Sequence, residues 1–241
     1  MTDFLPSCAS SSVGSLPHRD PDLACELILR YCERVPAWPQ LPNLGFRQNM
    51  YVQYSYDFPG VVIVEEEEQL YVKRELVEDA AEEFLQKVLE ERVDEFAYRE
   101  EYFGGLFPML ERAGSSSKVQ ILKGQMIGPI SLGLKLTDEK RRSIIYDETL
   151  CELLTRYLQM KARWQQKALS EVFPRTLLVL DEPYMNMFGS AFLNLGEEEV
   201  LRIIRDVTEG VPGLLGIHCC GNTDWGVLMK TGVDMISLDA Y

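Results

Sequence analysis

Short apolar segments alternate with amphipathic helical patterns along most of this chain. Strands that are covered on both faces read as continuous apolar runs, whereas a helix repeats its apolar residues with a period of 3.6. The alternation therefore predicts an α/β protein with a parallel sheet. The strand candidates are 119–122, 177–180, 214–217 and 235–238, with weaker ones at 8–14, 36–41 and 95–98. The helix candidates are 22–33, 75–92, 147–169, 197–208 and 225–231.

Seven strand candidates separated by helices favour a (β/α)8 TIM-type barrel. A barrel needs an eighth strand, and the sequence stops at Tyr241, directly after the candidate at 235–238. We therefore expect one barrel domain over residues 1–241, truncated after the seventh strand. An open doubly wound sheet, which needs no closure, is the alternative. A small hairpin near 61–73, around the four glutamates at 65–68, is expected as an insertion outside the main sheet.

Charge and cysteine content limit the function classes. The chain has 38 acidic and 24 basic residues, a net charge of −14, which disfavours binding to nucleic acid or an anionic membrane. No apolar run approaches the ~20 residues that span a bilayer, and the N-terminus lacks a signal-peptide pattern. Six irregularly spaced cysteines do not resemble a disulfide framework. These features predict a soluble, reduced, cytoplasmic protein.

One of the two histidines lies in Gly216-Ile217-His218-Cys219-Cys220-Gly221-Asn222, at the end of a strand candidate. His218 and Cys220 are two residues apart, so in an extended strand they point to the same side and Cys219 to the other. Imidazole and thiolate ligands suit zinc. The spacing favours a metal or thiol-chemistry site over the alternative, in which His218 is a hydrogen-bonded core residue and the cysteines are small buried hydrophobes.

Polar groups follow the other strand candidates too. In a barrel the functional residues lie at the carboxyl ends of the strands. Asp181 and Glu182 follow one such strand, which predicts a functional role for them. The alternative is that both residues only cap the next segment. The remaining polar ends are 14–19, 123–131 and 239–241.

Taken together and in order, these segments resemble the catalytic C-terminal barrel of cobalamin-independent methionine synthase. The resemblance rests on Val13-Gly14-Ser15-Leu16-Pro17, Gly124-Gln125-Met126-Ile127-Gly128-Pro129, Leu180-Asp181-Glu182-Pro183 and His218-x-Cys220, with Arg47-Gln48-Asn49-Met50 as a further segment. The stretch 218–239 is also similar to corrinoid-dependent zinc methyltransferases of the uroporphyrinogen decarboxylase superfamily. The resemblance implies a barrel, a catalytic Zn²⁺, and methylation of a homocysteine-like thiol, as in methionine biosynthesis.

The resemblance also implies roles for individual residues. His218 and Cys220 match zinc ligands, and Asp239 falls near the position of a zinc-binding glutamate. Ser15 and Asp181 match positions that hold the amino-acid part of the thiol. The expected substrate-binding set is Gly14, Ser15, Arg47, Gln125, Tyr184 and Asn222, with Asp181, Glu182 and His18 as the catalytic set.

This chain departs from the family at three places. Residues 42–45 read Pro-Asn-Leu-Gly where the family has a glutamate. The family's remaining cysteine ligand and its separate N-terminal barrel have no counterpart in this sequence. We therefore expect a short stand-alone core, whose methyl donor is a folate, a corrinoid protein or another methyl compound.

In the expected reaction, zinc deprotonates the bound thiol for attack on the methyl group. Asp181 and Glu182 would anchor the substrate ammonium, and His18 would act as an acid near the donor. A metal-free lyase of the decarboxylase type would instead need a basic pocket, for which Arg19, Arg47 and Lys123 are the few candidates. A non-catalytic binding barrel is the other alternative. A barrel without its eighth strand would leave strands one and seven unpaired along an open seam. We expect another segment or chain to cover this seam, such as a second copy in a homo-oligomer.

Overall fold

A computed structural model describes residues 6–239 and has a mixed α/β architecture. The strands are β1 (Val61–Val64), β2 (Gln69–Val72), β3 (Leu122–Ile127), β4 (Thr176–Asp181), β5 (Leu214–Cys219) and β6 (Met235–Leu238). The α-helices are α1 (Pro21–Tyr31), α2 (Met50–Gln53), α3 (Arg74–Leu89), α4 (Leu106–Ala113), α5 (Pro129–Lys135), α6 (Glu148–Val172), α7 (Glu197–Thr208) and α8 (Trp225–Met229). Within the described range, no helix combines the length and the apolar character needed to cross a membrane.

The main sheet has four parallel strands in the order β3-β4-β5-β6. Two isolated parallel bridges continue it beyond β3: Ala37 pairs with Lys123, and Ser15 pairs with Gln40. No sheet is closed in residues 6–239. The order of these segments along the chain equals their order in the sheet, which is the arrangement that helical crossovers produce.

The two faces of the sheet differ in composition. One face contributes Leu178, Leu180 and Ile217 to the main core, which contains residues of the helices. The other carries a small apolar cluster around Ile121, Leu177 and Val179. Lys123, Gln125, Asp181, His218 and Ser237 lie on this second face, which we call the inner face. Asp181, His218 and Ser237 lie towards the carboxyl ends of their strands, whereas Lys123 lies near the start of β3.

Most of the predicted elements exist with shifted ends. The strand at 235–238 and the helix at 197–208 have the predicted bounds. The predicted hairpin is confirmed, since β1 and β2 pair antiparallel around a 3₁₀ turn at Glu65–Glu67. Helices α2, α4 and α5 were not predicted from the sequence.

Three strand predictions were wrong. The segment 95–98 overlaps a 3₁₀ turn, Val93–Phe96, because another segment occupies the edge of β3: Lys123 N donates to Pro36 O, and Trp38 N donates to Lys123 O. Segments 8–14 and 36–41 are not strands, although Ser15 and the second segment form the isolated bridges. Pro36 and Pro39 remove ladder donors from 36–41, which limits its pairing.

Candidate functional site

One line of paired residues crosses the carboxyl end of the sheet. Asp181 on β4 pairs with Ile127 on β3 and with His218 on β5, and His218 pairs with Ser237 on β6. Paired residues of parallel strands present their side chains to the same face. Asp181, His218 and Ser237 therefore lie side by side on the inner face.

Asp181 is buried, with 6% of its surface exposed, and its Oδ1 has no hydrogen-bond partner among the described residues. Buried polar atoms are normally hydrogen-bonded, so an unpartnered carboxylate oxygen marks a place for a ligand group or water. Burial raises the pKa of Asp181 to about 7; Lys123 opposes that rise and Glu182 adds to it. Its carboxyl group thus titrates near neutral pH.

His218 is half-buried, and its Nδ1 lies 3.0 Å from Ser237 Oγ. Burial and, secondarily, Lys123 lower the pKa of His218, whereas Ser237 and Asp239 act in the opposite direction. The imidazole is therefore neutral at pH 7. In the tautomer in which Nδ1 donates to Ser237, the lone pair of Nε2 is available to accept a proton or bind a metal.

Lys123 approaches the same region from β3. Only 5% of its surface is exposed, and Nζ donates to Ser12 O at 2.7 Å and to Val13 O at 3.0 Å. Burial lowers the pKa of Lys123 and Asp181 raises it. The lysine thus attaches the N-terminal segment to the inner face and places a positive charge near Asp181 and His218.

Gln125 and Gly14 are in close contact. A Cβ on Gly14 would lie 2.7 Å from Gln125 Nε2, and Gly14 has φ +141°, so only glycine is tolerated there. Gln125 Nε2 donates to Trp38 O at 2.6 Å, whereas its Oε1 has no partner among the described residues. Ser15 Oγ donates to Gln40 Oε1 at 3.2 Å. The structure thus places Gln125 against Gly14, the residue before Ser15.

Glu182, in contrast, is bound to α5. Its fully buried carboxylate accepts from Ile130 N at 2.9 Å, from Ser131 N at 2.8 Å and from Ser131 Oγ at 2.6 Å. Burial raises the pKa of Glu182 to about 7, and these hydrogen bonds oppose the rise. Its oxygens are already occupied by the first turn of α5, so this geometry makes Glu182 a positioning residue and not an anchor for a substrate ammonium.

Tyr184 and the residues after β5 lie at the rim of this edge. Tyr184 stacks on Tyr51 with ring centroids 6.4 Å apart, and its N–H donates to Ser131 Oγ. Cys219 is fully buried and faces away from the inner face, whereas Cys220 is exposed. Asn222 is exposed in the turn before α8.

Three predicted site residues have other surroundings. Arg47 pairs with Glu65 at 2.6 Å and with Glu101 at 3.1 Å, which holds the hairpin to the loop at 101. His18 is half-buried before α1, and its Nδ1 has no hydrogen-bond partner in residues 6–239. Asp239 is exposed beyond β6 and influences His218 only electrostatically.

A cavity of about 670 Å³ opens on the inner face. Its polar wall includes Ser12, Lys123, His218 and Ser237, and its apolar wall includes Ile121, Leu177, Leu214 and Met235. This is the size of a small-molecule pocket. A ligand here would meet a cation, an imidazole and aliphatic side chains.

The donor set for zinc is incomplete. Among the described residues, no three His, Cys, Asp or Glu side chains form a group able to hold a metal. His218 and Cys220 are two candidate ligands on one strand end, while catalytic zinc sites use three protein ligands. The residues described therefore do not by themselves fit a catalytic zinc.

Neither protein-family models nor curated proteins nor solved structures match this chain.

Lys123 was expected only as part of the basic pocket of the lyase alternative, and Ser237 was not predicted as a site residue. The sequence does contain a signal for Lys123, which is a lysine next to an apolar strand segment. A buried charge needs a specific reason, so such a lysine is a candidate functional residue. Ser237 had no signal in the sequence, since its importance comes from the register that places it beside His218.

Proposed function

We propose that this protein is a methyltransferase that transfers a methyl group to the sulfur of a homocysteine-like thiol. The observation that carries the proposal is the unpartnered Asp181 Oδ1 beside His218 on the inner face, at the carboxyl end of a parallel sheet. A buried carboxylate is suited to a substrate ammonium, and a neutral imidazole is suited to a thiol proton. The resemblance of the same segments to methionine synthase supports this choice.

The reaction follows from these groups without a metal. His218 Nε2 accepts the thiol proton, because the lowered pKa of His218 keeps the ring neutral at pH 7. The thiolate then attacks the methyl carbon; the S–C bond forms, and the bond to the donor breaks with its electrons leaving on the donor. Zinc held in part by His218 and Cys220 belongs to this proposal as a testable feature, but no step depends on it.

We also propose that the parallel segments form part of the wall of a (β/α)8 barrel. The contact of Lys123 with Ser12 and Val13 supports curvature, because the segment at 36–41 lies between them in the sheet. In a flat sheet two strand spacings are about 10 Å, and side chains stand perpendicular to that direction. A lysine that reaches across a neighbouring segment fits a sheet that curves around its inner face.

The lyase alternative has less support. A decarboxylase pocket for an acidic substrate needs several free cations, but Arg47 is paired with Glu65 and Glu101, and Arg19 is exposed. Of Arg19, Arg47 and Lys123, the lysine is the one that supplies a buried positive charge at the inner-face cavity.

The test is a methyl-transfer assay with the full chain. Homocysteine is incubated with 5-methyltetrahydrofolate or with methylcobalamin, and the methyl thioether is measured by mass spectrometry. We expect product with one donor, and at least 100-fold less from His218→Ala. Absence of product with both donors, together with no calorimetric binding of homocysteine, would refute the proposal.

A further inference from the structure

Lys123 is a buried cation in the wall of the inner-face cavity. Its Nζ donates to two neutral carbonyl oxygens, Ser12 O and Val13 O, and no ion pair within 4.0 Å involves it in residues 6–239. An ammonium group has three N–H donors, so one remains for another acceptor. Asp181 affects Lys123 electrostatically but does not line the cavity. The remaining donor of Lys123 is thus a place where an anionic group in the cavity would be stabilised.

A second polar group of the same wall lacks a partner. Ser12 Oγ is buried, and no hydrogen bond engages it in the described part of the chain. Ser12 O accepts from Lys123 Nζ at 2.7 Å, so the hydroxyl belongs to a residue that already contacts the ammonium group. Buried polar groups are normally hydrogen-bonded, and both the hydroxyl and the ammonium can donate. Two such donors suit the two oxygens of a carboxylate.

The rest of the cavity is mainly aliphatic. Its apolar wall contains Val35, Ile121, Leu177, Leu214 and Met235. From β3 to β6 this wall crosses three strand spacings, about 14 Å. Asp234 also borders the cavity, just before β6, but its Oδ2 accepts from Leu215 N at 2.9 Å. A ligand with a charged end at Lys123 would therefore extend along aliphatic side chains.

We infer that the inner-face cavity binds an aliphatic monocarboxylate, with its carboxylate on Lys123 Nζ and Ser12 Oγ and its hydrocarbon chain across β4 and β5 towards β6. This site is separate from the proposed methyl transfer and does not rest on it. A neutral alcohol keeps the apolar contacts but leaves the ammonium without a counter-ion. An alkylammonium ion places a second cation beside Lys123. A short carboxylate gains the charge interaction without the apolar burial.

A purely structural role for Lys123 makes a different prediction. Its bonds to Ser12 and Val13 attach the N-terminal segment to the sheet. If that were its whole role, Lys123 variants would weaken the binding of an alcohol and of a carboxylate alike. Ser12→Ala keeps the carbonyl that Lys123 contacts, so under that role it would affect neither ligand.

The experiment is isothermal titration calorimetry of the full chain with octanoate, octan-1-ol, octylammonium and acetate. We expect octanoate to bind about 10- to 100-fold more tightly than octan-1-ol, the effect of a charge-assisted hydrogen bond. Octylammonium should bind more weakly than octan-1-ol, and acetate should give no measurable binding. Lys123→Met should reduce the affinity for octanoate to that for octan-1-ol, which should itself not change. Ser12→Ala should weaken octanoate alone, by about 3- to 10-fold.

Matched variants keep the test decisive. Lys118→Met and Ser117→Ala are the controls, because both residues are exposed and Lys118 pairs with Glu33. Lys123→Gln removes the charge but keeps donors for the Ser12 and Val13 carbonyls, so it replaces Lys123→Met if that protein fails to fold. Equal affinities of the wild type for octanoate and octan-1-ol, a preference that survives in the Lys123 variant, or no binding of octanoate would each overturn the inference. The methyl-transfer assay tests the proposed function independently of these outcomes.

Discussion

Asp181 and His218 are paired across β4 and β5, yet no hydrogen bond joins their side chains among the described residues. His218 Nδ1 contacts Ser237 Oγ, and Asp181 Oδ1 has no partner in residues 6–239. They are thus not the hydrogen-bonded carboxylate–imidazole pair of a hydrolase triad. Each retains an unbonded polar atom, so a ligand can be bound between a carboxylate and a neutral imidazole.

Asp181 should make the stability of the protein depend on pH. Its folded-state pKa, about 7, lies above the ordinary value of 3.8, so folding takes up a proton between these values. Its contribution to stability is complete below pH 4 and is lost as the pH rises through 7. Asp181→Asn should therefore be more stable than the wild type at pH 8, on the order of 4 kcal/mol at most.

Urea unfolding of both proteins at pH 5, 6, 7 and 8 measures this difference. The advantage of Asp181→Asn should shrink towards pH 5. A constant difference across the range would mean that Asp181 does not have a raised pKa.

Gly128 should be intolerant of any side chain. A Cβ at this position would lie 2.3 Å from Glu182 Cδ, which three hydrogen bonds hold in place against α5. Gly128→Ala should lower the free energy of unfolding by about 1–3 kcal/mol, the usual effect of overpacking. Gly114→Ala is the control, because a Cβ there meets only Val172 at an ordinary 3.4 Å. Similar urea midpoints for the two variants would show that Glu182 can move aside.

The sequence predicts the ends of β4 and β5 well because apolar strands followed by polar residues are a local pattern. The convergence of Asp181 and His218 follows from parallel topology alone. The binding of Glu182 to α5 does not follow from the topology, because α5 is seven residues long and has no clear helical periodicity in the sequence. Arg47 similarly fits a substrate-binding pattern, but its partners Glu65 and Glu101 come from a hairpin and a loop whose packing no local pattern reveals.

Lys161 should also make stability depend on pH, in the opposite direction. It is fully buried on α6, with Nζ 4.2 Å from the ring centroid of Tyr56 and 3.5 Å from Asp57 Oδ2. Burial lowers its pKa from 10.5 to about 8, against the effect of Asp57. Its contribution to stability is complete above pH 10.5 and is lost as the pH falls through 8. Unfolding free energy should therefore rise between pH 8 and 10 in the wild type. Lys161→Met should lack this rise in parallel guanidinium titrations, and an identical rise in the variant would contradict the prediction.

The adjacent cysteines give the sharpest test of metal binding. Cys220 is exposed directly after β5, two residues from His218, whereas Cys219 is fully buried on the face opposite to His218, with Sγ 3.4 Å from Gly221 O. If zinc binds as we propose, His218→Ala and Cys220→Ser should each lose most of the zinc that the purified chain retains, because each removes a ligand. Cys219→Ser should retain it and differ only slightly in stability. Zinc is measured by mass spectrometry after dialysis against buffer with and without a chelator. Equal loss from Cys219→Ser and Cys220→Ser would reverse the choice of ligand, and a metal-free wild type would leave His218 acting as a base, as in the reaction derived above.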